Sequence, residues 1–164
     1  MSAWNSDIKR AIHYIGKLHE DCHCTSSTTK SASNCLDVRT ADLADTVNTA
    51  VSNAMAVYVK NQRAWNRNRN VCTAGTGPLT AIAKTVPGVG LGLPTPPNNS
   101  RAAPPALAVG ATPANFPANL ANLGSLEKKD IHQLAIQYNE DFGILAGDQV
   151  SVCRQKFQEW ICGM

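Results

Sequence analysis

The sequence has few aromatic side chains and no segment that a membrane would hold. Phe, Trp and Tyr make up 5% of its 164 residues, so any core that the chain builds is small and rich in short side chains. A transmembrane helix needs a run of about 18 apolar residues or more, and no run in this sequence approaches that length. The first residues also lack the basic stretch and apolar run of a signal peptide. We therefore expect synthesis in the cytoplasm without a signal peptide, and no membrane partner.

Strong charge of either sign is absent as well. The formal net charge of +3 divides into +3 for residues 1–70, +2 for residues 71–124 and −2 for residues 125–164. A dedicated nucleic-acid-binding domain carries a much more basic surface, so the sequence argues against nucleic acid as the partner. A basic front half and an acidic tail do favour contact between the two, within one subunit or between copies.

Residues 71–124 lack acidic residues altogether and are rich in proline, glycine, alanine and asparagine. All nine prolines lie between Pro78 and Pro117, and Lys84 and Arg101 are the only charged residues of the segment. Such a composition is typical of extended or disordered chain, because ordering each residue costs about 1–2 kcal/mol of backbone entropy. We expect an extended arm that is held by a surface outside itself, and we expect that surface to belong to a neighbouring subunit.

Helical periodicity precedes the arm. Apolar residues at steps of three and four predict a helix over residues 3–22, and a polar, aperiodic stretch from Cys24 to Asn34 predicts a loop. A second, longer helix is predicted from about residue 40 to 68. Its apolar and small residues recur at a heptad-like spacing, which is typical of a helix that packs lengthwise on another. This seam consists of Leu43, Val47, Ala50, Ala54, Tyr58, Asn61 and Trp65.

Two further helices are predicted after the arm. Ser125 is expected to cap the first and Asp148 the second, with a connector broken by Gly143 and Gly147 between them. No segment has strand-like alternation. The predicted fold is mainly α, with a small body of about four helices, one of them long, interrupted by the Pro/Gly/Ala-rich arm. The predicted organisation is an N-terminal helical segment (1–70), an arm (71–124) and a C-terminal helical segment (125–164) that packs with 1–70 or with a neighbour.

The six cysteines are the residues most able to bind a metal or to form covalent bonds. Thiol and imidazole groups cluster near the N-terminus, where four of them would suit tetrahedral zinc: His19, Cys22, His23, Cys24 and Cys35. The Cys-x-Cys spacing departs from that of common zinc sites, so we predict no metal or other cofactor and keep zinc as an alternative. A disulfide from Cys35 to Cys22 or Cys24 is favoured, although six cysteines allow fifteen complete pairings. The disulfide candidates are Cys22, Cys24, Cys35, Cys72, Cys153 and Cys162.

No motif indicates a catalytic centre, so the chain is predicted not to be an enzyme. The sequence favours a structural assembly subunit of a large particle, most concretely a virion protein from the capsid, neck or tail of a bacterial virus, located in the virion or an extracellular particle. Its partners would be copies of itself or other particle proteins. The alternatives are a small zinc-binding regulatory module and a secreted, disulfide-rich effector or enzyme. The arm residues predicted to bind neighbours are Val89, Leu91, Leu93, Leu107, Val109, Phe116 and Leu120.

Overall fold

A computed structural model describes residues 29–90 and 92–164. This part of the chain is mainly helical, as predicted, and contains one long helix and three shorter ones: α1 (Thr29–Ala74), α2 (Leu120–Ser125), α3 (Lys128–Tyr138) and α4 (Val150–Cys162). The described residues form no strand, only an isolated bridge between Pro78 and Asn119. The helix predicted over residues 3–22 lies outside the described residues.

Helix α1 is longer at both ends than its periodicity indicates. It begins at Thr29, so the predicted loop is wrong over residues 29–34, and it continues to Ala74 rather than ending near residue 68. The reason is that residues 29–74 contain neither glycine nor proline, and nothing in between interrupts the backbone hydrogen bonds. The helix ends where Gly75 adopts a φ of 74°, the left-handed conformation that commonly terminates helices.

The described residues divide into two units, one that ends at Ser52 and one that spans residues 53–164. The described part of the first unit is the N-terminal portion of α1. The second unit contains the rest of α1, the arm and the three short helices, and it has its own hydrophobic core.

The core of the unit 53–164 forms where α3 and α4 pack together. Ile131 and Leu134 of α3 and Phe157 and Ile161 of α4 are fully buried. Helices with apolar stripes must bury them against one another, and these two stripes face the same interior. Cys153 is also fully buried.

Most aromatic residues in the described part of the chain lie in or against this core. The ring centroids of Tyr138 and Trp160 are 4.8 Å apart, and those of Phe142 and Phe157 are 4.9 Å apart. Phe116, from the arm, meets Phe157 edge-on at 6.2 Å. Because each aromatic ring buries a large apolar area, the cluster provides a compact centre in a chain otherwise rich in small side chains.

The caps of the short helices differ from the predicted ones. Glu127, not Ser125, caps α3, and it forms a reciprocal capping box with Asp130. Ser125 instead ends α2, a helix of six residues too short to show a period in the sequence.

Helix α4 likewise begins later than predicted, with Gln149 rather than Asp148 as its N-cap. The Asp148 carboxylate accepts a hydrogen bond from the Leu145 amide and pairs with Lys156 at 2.7 Å, so it organises the connector instead. Gly143 and Gly147 both have positive φ there, as expected for a break between helices.

Candidate interaction surfaces

Two asparagine side chains of α1 hold the first part of the arm. The Asn61 amide donates to the Ala83 carbonyl and accepts from the Ala83 amide, both at 2.8 Å. The Asn68 amide pairs in the same way with Thr80, at 3.0 and 2.7 Å, and donates to the Ile161 carbonyl at 3.0 Å. Both asparagines are buried. They satisfy the backbone amide and carbonyl of both Thr80 and Ala83 as a neighbouring strand would, so this stretch is extended.

Helix α3 holds the arm from the other side. The buried Tyr138 hydroxyl donates to the Ile82 carbonyl at 2.6 Å, and burial raises the pKa of Tyr138. The Lys84 ammonium is buried too, and it donates to the Gly88 carbonyl and, at 2.6 Å, to the Gln137 carbonyl in the last turn of α3. Burial lowers the pKa of Lys84. A cation at a helix C-terminus is favoured by the helix dipole, which accounts for one of the two charged residues of the arm.

A third contact lies nine residues after Lys84 in the arm. The Leu93 amide donates to His132 Nδ1 at 3.3 Å, so the imidazole must be neutral, and burial lowers the pKa of His132. Gly92 lies directly on this ring, because a Cβ at Gly92 would be 2.6 Å from His132 Cε1. Only a residue without a side chain allows the backbone to approach so closely.

These contacts change the interpretation of the arm. Residues 79–84 and Leu93 are held by the chain's own helices, and the expectation that a neighbour must supply the surface is wrong for them. Leu93 lies in the core, and Phe116 and Leu120 pack against it. Val89 and Val109 are exposed and Leu107 is partly buried, whereas Leu91 lies outside the described residues. Of the arm residues that were predicted to bind a neighbour, those still available to a partner among the described residues are therefore Val89, Leu107 and Val109.

Sequence reasoning missed Asn61 and Asn68 as the residues that organise the arm. Their signal was their spacing, since seven residues put both side chains on one face of a helix two turns apart. Residues 61–70 also contain three exposed arginines, so their composition is that of a solvated helix end and does not reveal the two buried asparagines.

The predicted zinc and disulfide cluster is only partly described. His19, Cys22, His23 and Cys24 lie outside the described residues, and Cys35 lies in α1. Elsewhere in the described part of the chain, no three His, Cys, Asp or Glu side chains are grouped as a metal ion would require. Cys72, Cys153 and Cys162 are free thiols.

The middle of α1 is exposed on every side. All side chains of residues 44–56 are exposed, including Val47, Val51 and Met55, and so is Tyr58. The predicted seam therefore has two parts. Asn61 is buried and Trp65 packs against the core, whereas the seam residues from Val47 to Tyr58 are uncovered.

In the unit 53–164, a basic groove begins at the end of this exposed part of α1. It has a volume of about 590 Å³ and is lined mainly by α1, with Thr80 of the arm at one end. Met55 and Val59 give it an apolar wall, and each is more than 40% exposed. Lys60, Arg63 and Arg67 recur at helical spacing and make the groove positively charged. A partner that fits it carries both apolar and acidic side chains.

Comparison with known proteins finds no matching family model, no similar curated protein and no similar solved structure. Within residues 29–90 and 92–164, no helix has both the length and the hydrophobicity needed to cross a bilayer.

Proposed function

We propose that the protein is a structural assembly subunit that binds other copies of itself through α1. The observation that supports this proposal is the helical stretch of residues 44–56, whose side chains are exposed all round although they include Val47, Val51 and Met55. An isolated helix is marginally stable in water and gains most of its stability from packing. Uncovered apolar residues on a long helix therefore favour a helical partner.

Charge complementarity makes a second copy the preferred partner. Residues spaced three and four apart form one row along α1. The row begins with Asp42 and Asp45, continues through small residues and ends with the basic residues of the groove, Lys60, Arg63 and Arg67. Asp45 lies eight residues before Asn53, and Lys60 lies eight residues after Ser52. In an antiparallel pair of α1 helices centred between Ser52 and Asn53, each acidic half lies along the basic half of the other copy.

Small residues at the middle of the row allow the two helices to approach closely. Thr49 and Ala56 are equally distant from the centre of the pair and therefore face each other across it. Asp42 and Arg63 are equally distant from the centre too, and they form a further pair of opposite charge. The alanine and the threonine would let the two backbones come together, while Met55 at the groove wall loses exposed area. The antiparallel orientation also aligns the helix dipoles favourably.

The proposed setting is a large particle, and a virion of a bacterial virus is its concrete form. The unit 53–164 would be the folded body, and α1 would join it to other copies. The exposed arm residues Val89 and Val109 would contact further proteins of the particle. The virion setting stays a prediction from the body-and-arm organisation of the sequence.

Charge reversal tests the proposed pairing in the full-length protein. Asp45→Lys and Lys60→Asp should each weaken self-association by about tenfold, because each replaces two symmetry-related attractions by repulsions. The double variant Asp45→Lys/Lys60→Asp should recover the wild-type affinity, and so should an equimolar mixture of the two single variants. Ser151→Lys, at an exposed position of α4, is the control and should have no effect.

Sedimentation velocity over a concentration series measures these affinities. Single variants that associate as well as the wild type would contradict the antiparallel pairing. A double variant as weak as the single ones would contradict it too, because the double variant has the wild-type net charge and restores both facing pairs of opposite charge.

A further inference from the structure

We propose that Cys72 and Cys162 form a disulfide within the subunit when it enters an oxidising environment, and so lock the end of α1 to the end of α4. Their Sγ atoms are 3.2 Å apart although the two residues are 90 positions apart in the sequence. Both are thiols in this structure. A disulfide has a sulfur–sulfur distance of about 2.0 Å, so closing the bond takes a movement of about 1 Å shared between two side chains.

Contacts that do not involve sulfur place Cys162 beside Cys72. The Arg69 guanidinium donates to the carbonyls of Cys162 and Gly163, each at 3.1 Å. The buried Asn68 amide donates to the preceding carbonyl, that of Ile161. Gly163 also packs on Trp65 so closely that a Cβ at Gly163 would be 3.1 Å from the ring. The end of α4 is therefore fixed to the last turns of α1, and the two thiols meet as a consequence.

Cys153, the other buried thiol, does not compete for this pairing. Cys153 lies two and a half turns before Cys162 on α4, where its Sγ atom contacts the Asp148 carbonyl at 3.8 Å. The charged groups near it are Lys128, Asp148 and Lys156.

The unequal exposure of the two thiols gives an order of events. Cys72 is half-buried, whereas Cys162 is fully buried, and burial together with the adjacent Cys72 thiol raises the pKa of Cys162 to about 12. With a small-molecule disulfide such as oxidised glutathione as the oxidant, the Cys72 thiolate attacks one of its sulfurs and releases one glutathione thiolate. The Cys162 thiolate then attacks Cys72 in the mixed disulfide and releases the second glutathione. The protein loses two electrons and two protons, and these reduce oxidised glutathione to two glutathione thiols.

The disulfide would enclose the whole arm in a covalent loop. In a reducing cytosol the thiols stay free, and they close after release from the cell. A cross-link of this loop length mainly restricts the unfolded chain, so oxidation should stabilise the unit 53–164 without rearranging it.

Peptide mapping of the full-length protein tests the pairing. The protein is equilibrated in oxidised glutathione, free thiols are alkylated, and the chain is digested with trypsin without reduction. Residues 70–84 and 157–164 form separate peptides with one cysteine each, and Cys153 is alone in the peptide 130–154. We expect peptide 70–84 linked to 157–164, and the alkylated peptide 130–154 as the internal control. Unlinked peptides, or either peptide linked to one that contains Cys22, Cys24 or Cys35, would overturn the proposal.

Thermal unfolding supplies a second measurement. Oxidation should raise the Tm of the wild type by about 10 °C, and this rise should be absent in both Cys72→Ser and Cys162→Ser. A rise that persists in either variant would overturn the pairing. If a variant fails to fold, the peptide map of the wild type still decides the question.

Discussion

Replacing Asn68 by alanine should detach the first part of the arm from α1. The side chain is fully buried and has three backbone partners, namely the amide and carbonyl of Thr80 and the carbonyl of Ile161. A buried polar group left without a partner costs about 1–3 kcal/mol. Water can reach part of the gap at Thr80, which is half-buried. We therefore expect Asn68→Ala to lower the free energy of unfolding by about 3–5 kcal/mol in total, against about 5–15 kcal/mol for an ordinary domain.

Urea unfolding followed by far-UV circular dichroism measures this loss. Asn66→Ala and Asn70→Ala are matched controls, because they make the same change on the same helix at exposed positions and should stay within about 0.5 kcal/mol of the wild type. Backbone amides of residues 80–83 should also exchange hydrogen faster in Asn68→Ala. If Asn68→Ala is no less stable than Asn66→Ala, the asparagine does not hold the arm and our account of its order is refuted.

Two further predictions concern the contact between the arm and α3. Gly92→Ala should lower the free energy of unfolding by about 1–3 kcal/mol, because its Cβ would displace the His132 ring. The control Gly124→Ala, at an open position of α2, should be neutral or stabilising. Equal urea midpoints for the two variants would disprove the close approach of Gly92 to His132. Because burial lowers the pKa of His132 in the folded state, the unfolded chain binds the proton first as the pH falls below about 6.5. The free energy of unfolding should therefore be highest above that pH and fall below it. In His132→Gln it should depend less on pH between 5 and 7. An unchanged pH dependence would show that another group is responsible.

The sequence predicts most of the helical architecture because periodicity and chain breakers are local signals. The heptad-like pattern located α1, and Gly143 and Gly147 located the connector. The ends of α1 were harder to predict, since its extension to Thr29 follows from the lack of an interrupting residue rather than from a positive signal. The caps at Glu127 and Gln149 were missed because several polar residues near each helix start were equally suitable.

The partners of the arm could not be predicted because they depend on tertiary contacts. Residues 75–90 and 92–119 lie outside the helices, as their composition indicated, whereas both ends of the predicted arm are helical. Composition did not show that Asn61, Asn68 and Tyr138 would satisfy the arm's backbone. Lys84 illustrates the same point, since its position at the end of α3 is determined only when the chain has folded. The proximity of Cys72 and Cys162 likewise follows from the packing of α4 on α1, and no spacing rule relates residues so far apart.

The central claim is that α1 associates with α1 of another copy, and sedimentation equilibrium of the full-length protein under reducing conditions tests it most directly. The chain has a mass of 17.5 kDa. We predict that the weight-average mass rises with concentration towards at least twice that value, and that the rise is suppressed by Asp45→Lys. A mass that stays at 17.5 kDa at every concentration would contradict the account.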